Sequence, residues 1–452
     1  MLNHLNTNID KNLLIKESQL TEIFFSGMKD YDVMQCKRVG VEFEKLPIKS
    51  NTFKAAAYQD IVKFLSAYKG DRTVICENNA ILGLADENGT ISLEPGSQTE
   101  ISLNPSDNLN IVKRILDCYN SQTAQIAQKY GICWLGCGIQ PVSTYKSINI
   151  IPKKRYEYMT QYLPTVAKKP LIMMRETAGI QASFDYKSEE DAMRKFSFAL
   201  KLSPFISAAY SNSPIRNGRL TKYKSNRAAS WLDTDNARCG LVSSKVFNSE
   251  FSFSDYAQQL LDVPMIFIER VIDGVKTAIR VQNLTFRMFM KNGYQGFSAE
   301  KQDWLTHLSL YFTDVRLKNY IEIRNHDNQR TPLICSVPAL WKGLIYNDEA
   351  MCSVEELLKR LNYFDCEYVR RKAPQKGLDM KIKNLSLRDI VTETVKISYE
   401  SLKSYGNDEE KLLEPLLELC SCGLTPADIV INNWENDWYN NFSGFINYSK
   451  LV

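Results

Sequence analysis

Val39-Gly40-Val41-Glu42-Phe43-Glu44 alternates strictly, placing Val39, Val41 and Phe43 on one face of a strand and Glu42 and Glu44 on the other. Three more stretches repeat the pattern. In 177–186, Ala178, Ile180, Ala182, Phe184 and Tyr186 oppose Gln181, Ser183 and Asp185. Around the Pro95-Gly96 turn, Ile91 and Leu93 lead in and Ile101 and Leu103 lead out, with Glu94 and Glu100 on the polar sides. In 319–324, Ile321 and Ile323 face away from Tyr320, Glu322 and Arg324. Strands with one apolar and one polar face predict a sheet covered by helices on a single side, hence an α+β fold.

For any one of these strands, contact with water explains the polar face. Glutamate is nevertheless depleted in strands, and carboxylates aligned on one face repel. A surface assembled from Glu42, Glu44, Glu94, Glu100 and Glu322 therefore calls for cations. Hard divalent ions with oxygen ligands suit it, and magnesium commonly brings ATP phosphates as further ligands.

The remaining chain is punctuated by helix signals. Pro105 and Ser106 are expected to open a helix through Ile111, Ile115, Tyr119 and Ile126 that stops at Gly131. Ser188 with Asp191 resembles a capping box ahead of Met193, Phe196, Phe198 and Leu200. Beyond Ser336 the pattern is helical, over 354–361, 387–405 and 409–420, with a fresh start at Thr425 and Pro426. Strands are expected only before that point. Residues 1–335 are thus expected to form an α+β region with the carboxylate-lined sheet, the part that would carry any catalysis, and 336–452 a mostly helical part packed on it.

Composition narrows the function. The chain has 452 residues, 44% hydrophobic and 24% charged, which suits a compact enzyme. A net charge of +4 without a long basic run gives no footing for nucleic acid. No apolar stretch approaches the roughly 18 residues of a membrane span. Residues 1–11 lack a leader's apolar core, so the cytoplasm is the expected address. The eleven cysteines are scattered, with Cys133/Cys137 and Cys420/Cys422 as the close pairs. His4, His307 and His326 lie too far apart in sequence to complete a zinc module. Reduced, mostly buried thiols are expected. Neither a Walker P-loop nor a G-x-S-x-G elbow is present.

Further motifs fall in a fixed order. Gly40-Val41-Glu42-Phe43-Glu44-Lys45 is followed by Leu93-Glu94-Pro95-Gly96-Ser97-Gln98-Thr99-Glu100 and Leu135-Gly136-Cys137-Gly138-Ile139-Gln140-Pro141. Then come Pro152-Lys153-Lys154-Arg155-Tyr156, Ser225-Asn226-Arg227, Trp231-Leu232-Asp233-Thr234-Asp235, the run 307–324, and 338–346. In this order the chain resembles the plant-type glutamate–cysteine ligases, from Gly40 to about Trp434.

The resemblance implies a curved antiparallel sheet of the glutamine-synthetase-like kind. It also implies an ATP-dependent ligase that forms a γ-glutamyl amide through a γ-glutamyl phosphate. Its cofactor would be Mg²⁺, with Mn²⁺ as a substitute, and its substrates ATP, L-glutamate and cysteine or another amine. Position by position, Glu42, Glu44, Glu100, Gln181 and Glu322, with Glu94, would be metal ligands. Arg227 and Arg324 would be catalytic, meeting carboxylates or the transferring phosphate with a planar fork. Trp231, Asn325 and His326 would join them around the substrates, and Lys153, Arg155 and Ser183 would serve the nucleotide.

Asn325-His326 stands where the family carries a small Gly-Ala pair, so the acceptor pocket is expected to differ. A γ-glutamyl ligase with another amine, or a ligase-like binding protein without turnover, are the alternatives. The intact carboxylate set argues against the latter. His307 reads as either a structural or a catalytic histidine, His326 as part of a polar turn, and Arg316 as a salt-bridge partner outside the core site.

Overall fold

The computed structural model describes residues 15–248, 250–272 and 275–452; His4 and the 1–11 segment lie outside them. Nine strands form the main sheet. In chain order they are β1 (Val39–Lys49), β2 (Thr73–Glu77), β3 (Ala80–Asp86), β4 (Gly89–Leu93), β5 (Thr99–Ser106), β6 (Ile132–Leu135), β7 (Gly179–Phe184), β8 (Val315–Leu317) and β9 (Ile321–Asp327). Their order is β8-β9-β7-β1-β5-β4-β3-β2, every neighbouring pair antiparallel, with β6 pairing the far end of β1.

Register carries the local alternation across the sheet. Glu42 lies opposite Gln181 on one side and Ser102 on the other, Glu44 opposite Glu100, Ser183 opposite Gly40 and Glu322, and Arg316 opposite Glu322. One face is therefore polar from β8 to β5. The other presents Val41, Phe43, Ile101, Ile180, Ala182, Ile321 and Ile323, all buried in one hydrophobic core that also takes in helical residues as far as Leu402 and Cys420. Burying a side chain such as Phe43 stabilises the fold by about 2–3 kcal/mol.

Helices α1 (Leu109–Lys129), α2 (Glu189–Ala209), α3 (Asn226–Trp231), α4 (Ser336–Ile345), α5 (Tyr363–Lys376) and α6 (Leu387–Ser404) pack around this core. α2 lies on β8 and β9, α4 lies on β7 and against α6, and α5 touches both α2 and α3. Among the described residues no helix is long and apolar enough to cross a membrane.

The structure corrects several boundaries. Pro105 and Ser106 end β5 rather than open a helix, beside a bulge between Val39 and Val41, where a residue without an N–H is tolerated. Asn108 caps α1, its side chain accepting the Asn110 and Ile111 N–H groups. The helix expected over 354–361 runs from Asp348 to Leu357 with Asn347 as cap, and 409–420 divides into a 3-10 turn and a helix starting at Glu414. A small hairpin, Lys381–Ile382 with Leu385–Ser386, lies beyond residue 335; Lys383 and Asn384 both take positive φ in its two-residue turn.

Candidate active site

The polar face holds two electrostatic environments. On β9, Glu322 is fully buried, and its Oε2 receives Arg316 Nε at 2.7 Å and Arg324 Nη1 at 2.9 Å, while Lys318 Nζ lies 3.3 Å from Oε1. Burial alone would raise this carboxyl, but Arg316, Lys318 and Arg324 overcome it and hold it well below the usual range. Arg324 Nη1 also donates to Gln181 Oε1 at 2.5 Å.

On β1 and β5 the balance reverses. Burial and the Glu322 charge push the Glu42 carboxyl up to about 7, and burial and Glu94 push Glu44 up to about 7. Glu100 rises well above its ordinary value through burial and then Glu42. Glu42 Oε2 is buried without a hydrogen-bond partner. Glu44 accepts the Gly179 N–H at 2.5 Å and the Gln181 amide at 3.4 Å, and Glu100 accepts the hydroxyls of Ser92 and Ser102. Glu94 begins the turn after β4 and accepts from the Tyr156 hydroxyl at 3.3 Å.

These acids are underprovided with positive charge, and their all-oxygen chemistry fits a hard divalent cation. Among the described residues no group of three or more His, Cys, Asp or Glu side chains is placed to hold a metal ion. The acids thus form no all-protein cage; oxygen donors of this kind suit a cation such as magnesium where one or two carboxylates are joined by water and phosphate oxygens.

Ser183 shares this face between Gly40 and Glu322. Lys153 Nζ lies over the Tyr156 ring at 5.1 Å, with its pKa lowered by burial and Arg155 against the pull of Glu94. Arg155 donates to Ser309 Oγ at 3.3 Å, and the carbonyl of the same Ser309 accepts from Arg316 at 3.0 Å. Both basic groups thus border the carboxylate face.

Beyond Arg324 the face opens into a small cavity of about 40 Å³, with Arg227, Trp231, Phe312, Asp314, Arg324 and Asn325 among its lining residues. Arg227 and Trp231 come from α3, whose first turn is fixed by a buried carboxylate. Asp327 Oδ2 accepts the Ser213 hydroxyl at 2.6 Å and the Asn212 N–H at 2.9 Å, and Oδ1 accepts the Ser225 hydroxyl at 2.8 Å. Ser213 Oγ in turn accepts the Arg227 N–H, and Ser225 Oγ that of Ala228. Arg227 Nη2 donates to the Arg324 carbonyl at 2.9 Å, and its guanidinium lies so close to Gly179 that a Cβ there would meet Nη2 at 2.5 Å.

His326 does not reach this cavity. A bulge between Ile323 and His326 sets Arg324 and Asn325 together opposite Gln181, so His326 shares the face of Ile180. It is fully buried, accepts the Trp341 indole N–H at 3.1 Å and meets Tyr210 edge-on. Its polar-turn reading and its place around the substrates are corrected accordingly: burial, then Arg227, push its pKa down to about 3, and it is a neutral core residue. His307 is likewise structural, 2.8 Å from the Leu260 carbonyl and stacked on Phe286.

Sequence reasoning missed Asp314 and Asp327, and it left Arg316 outside the site. The Val315-Arg316-Leu317-Lys318 alternation was the available signal for Arg316; nothing local marked the two aspartates.

Comparison with protein families matches residues 38–440 to Glutamate-cysteine ligase family 2. The chain is 34% identical over 431 residues to glutamate–cysteine ligase B, chloroplastic, of Oryza sativa subsp. japonica, covering 93% of this chain and 86% of that one. It is 32% identical over 418 residues to the chloroplastic glutamate–cysteine ligase of Arabidopsis thaliana, covering 91% and 78%. Among solved structures, glutamate–cysteine ligase from Francisella tularensis in complex with AMP shares the fold, with a TM-score of 0.57 at 13% identity over 90% of this chain and 87% of that one.

Proposed function

The chain belongs to glutamate-cysteine ligase family 2, and from that premise we propose that it spends ATP to join the γ-carboxylate of L-glutamate to the amine of cysteine, the first step of glutathione synthesis. A carboxylate does not form an amide until its oxygen becomes a leaving group, and phosphorylation by ATP to a γ-glutamyl phosphate supplies one. The amine then attacks the acyl carbon and phosphate departs.

The observation that carries this reading is the junction of the two environments: Glu42, Glu44 and Glu100, none of them in an ion pair among the described residues, stand beside an Arg324 that lines the cavity and is oriented by Glu322 and Gln181. Glu42, Glu44 and Glu100, with Glu94, Gln181 and Glu322, would be the side chains from which magnesium draws one or two ligands at a time, and when bound it would neutralise phosphate charge during transfer. Arg324 and Arg227 present planar donors to the anionic groups of substrate and phosphate. Lys153, Arg155 and Ser183 border the face where the nucleotide would lie, and Trp231 and Asn325 line the substrate cavity. All eleven cysteines are free thiols, four of them buried rather than most, which suits a reducing compartment; of these the cytoplasm is our reading.

The test is ADP release from ATP with glutamate and a panel of amines, with and without excess chelator. Glutamate-dependent release, highest with cysteine and abolished by chelator, is expected. No glutamate dependence would overturn the activation step, unchanged turnover in chelator the metal assignment, and preference for another amine the acceptor.

A further inference from the structure

The core behind the carboxylate face holds an ammonium group. Alternation along β1 turns Lys45 to the side of Val41 and Phe43, away from Glu44, and the β1–β5 pairing sets it opposite Thr99. Lys45 is 1% exposed. Among the described residues it forms no ion pair, and its Nζ donates once, to the Thr123 hydroxyl of α1 at 3.4 Å. Burial pulls its pKa down to about 7 with no neighbouring acid to offset it.

The polar groups of the same layer are also short of partners. Asn120 lies three residues before Thr123 on α1, so the two share a face, and its Nδ2 and Oδ1 are both buried without a hydrogen-bond partner. The Thr99 hydroxyl and Trp134 Nε1 are buried and unpartnered as well. Trp134 stands opposite Pro47, the next residue of β1 on the side of Lys45. α1 packs on both β5 and β6, which gathers these side chains between helix and sheet. Thr123 already donates its proton to the Tyr119 carbonyl at 2.6 Å. The donor hydrogens of Lys45, Asn120, Thr99 and Trp134 therefore outnumber the free lone pairs, and the layer bears a net positive charge.

Buried charges are stable where something of opposite sign pairs with them. We propose that this layer between α1 and strands β1, β5 and β6 binds a small monovalent anion of the chloride class, held by the Lys45 ammonium, the Asn120 amide, the Thr99 hydroxyl and the Trp134 indole N–H. The uncompensated charge favours an anion over a water molecule, and burial in a packed core favours a small ion over a bulky one. Such an ion ties β1, β5 and α1 together directly behind the facing pair Glu44 and Glu100.

Urea unfolding of the full chain at constant ionic strength, with chloride replacing gluconate, tests the site. Between about 1 and 100 mM chloride the folding constant of wild type is expected to rise about tenfold, as for an ion that binds the folded state alone with a Kd of about 10 mM. In Lys45→Met the rise should vanish, and in Thr99→Val, which removes one donor, it should shrink to about threefold or less. Crystals grown in bromide are expected to show an anomalous peak within hydrogen-bonding reach of Lys45 Nζ. Should Lys45→Met fail to fold, Thr99→Val and the bromide position decide. A wild type indifferent to chloride overturns the proposal. So does a rise that persists unchanged in either variant, or a bromide crystal with only water beside Lys45.

Discussion

Arg316 and Glu322 face each other across the β8–β9 pair, and both Nε and Nη2 of Arg316 lie 2.7 Å from the same oxygen, Oε2. Arg324 shares that oxygen, so Oε1 remains with Lys318 alone. The two arginines therefore have separate duties. Arg316, deeply buried, neutralises Glu322, whereas Arg324 uses Glu322 and Gln181 as an anchor and reaches into the cavity.

Arg324→Lys keeps the charge but loses the planar fork, and kcat is expected to fall about tenfold or more. Its melting temperature should stay near wild type, because Arg316 and Lys318 still answer Glu322. Arg316→Leu should destabilise the fold by about 3 kcal/mol or more, since it strips a buried carboxylate of its main partner. Steady-state kinetics with thermal unfolding checks both; equal effects of the two changes on stability would refute the division.

A carboxyl whose folded pKa lies above its unfolded value costs nothing while both states are protonated, and it destabilises the fold as pH rises from 4.5 toward 7, the shift found at Glu42. Glu42→Gln, neutral throughout, should be more stable than wild type by about 2 kcal/mol at pH 8 without metal, with the gain vanishing near pH 4. Added Mg²⁺ should stabilise wild type at pH 8 and the variant much less. Urea unfolding at both pH values measures this, and a variant less stable than wild type at pH 8 without metal would contradict it.

Asp327→Asn leaves one acceptor oxygen where two served Asn212, Ser213 and Ser225. The first turn of α3 should loosen and Arg227 with it. We expect KM for glutamate to rise about tenfold while KM for ATP moves less than about twofold, the signature of a displaced substrate-binding group rather than a weakened fold. A matching rise for both substrates would assign Asp327 to general stability.

Much of this architecture was legible in the chain. Alternation in 39–44, 91–103, 177–186 and 319–324 identified the strands and their polar sides, because successive side chains of a strand point oppositely whatever surrounds them. The same rule placed Glu42, Glu44, Glu100, Gln181 and Glu322 on polar faces before any pairing was known. Capping at Ser188 was equally local, and its side chain accepts the Asp191 N–H; the helix start expected at Thr425 and Pro426 is likewise where a helix begins, at Pro426.

The rule broke at Arg324. By alternation His326 belongs with Glu322 and Arg324, yet the bulge opposite Gln181 turns it into the core and sets Asp327 toward Gly179 and the serines that hold α3. A bulge arises from how β9 must fit β7, a contact between residues nearly 150 positions apart (Gln181 and Arg324 are separated by 143), so no window of sequence contains its cause. The pairing of Arg316 with Glu322 and the gathering of Asp314, Asn325 and Arg227 around one cavity are of the same kind. Local chemistry determined which residues are polar and which way a regular strand would point them; tertiary packing decided which charges meet, because register and burial are properties of the partners and not of the strand.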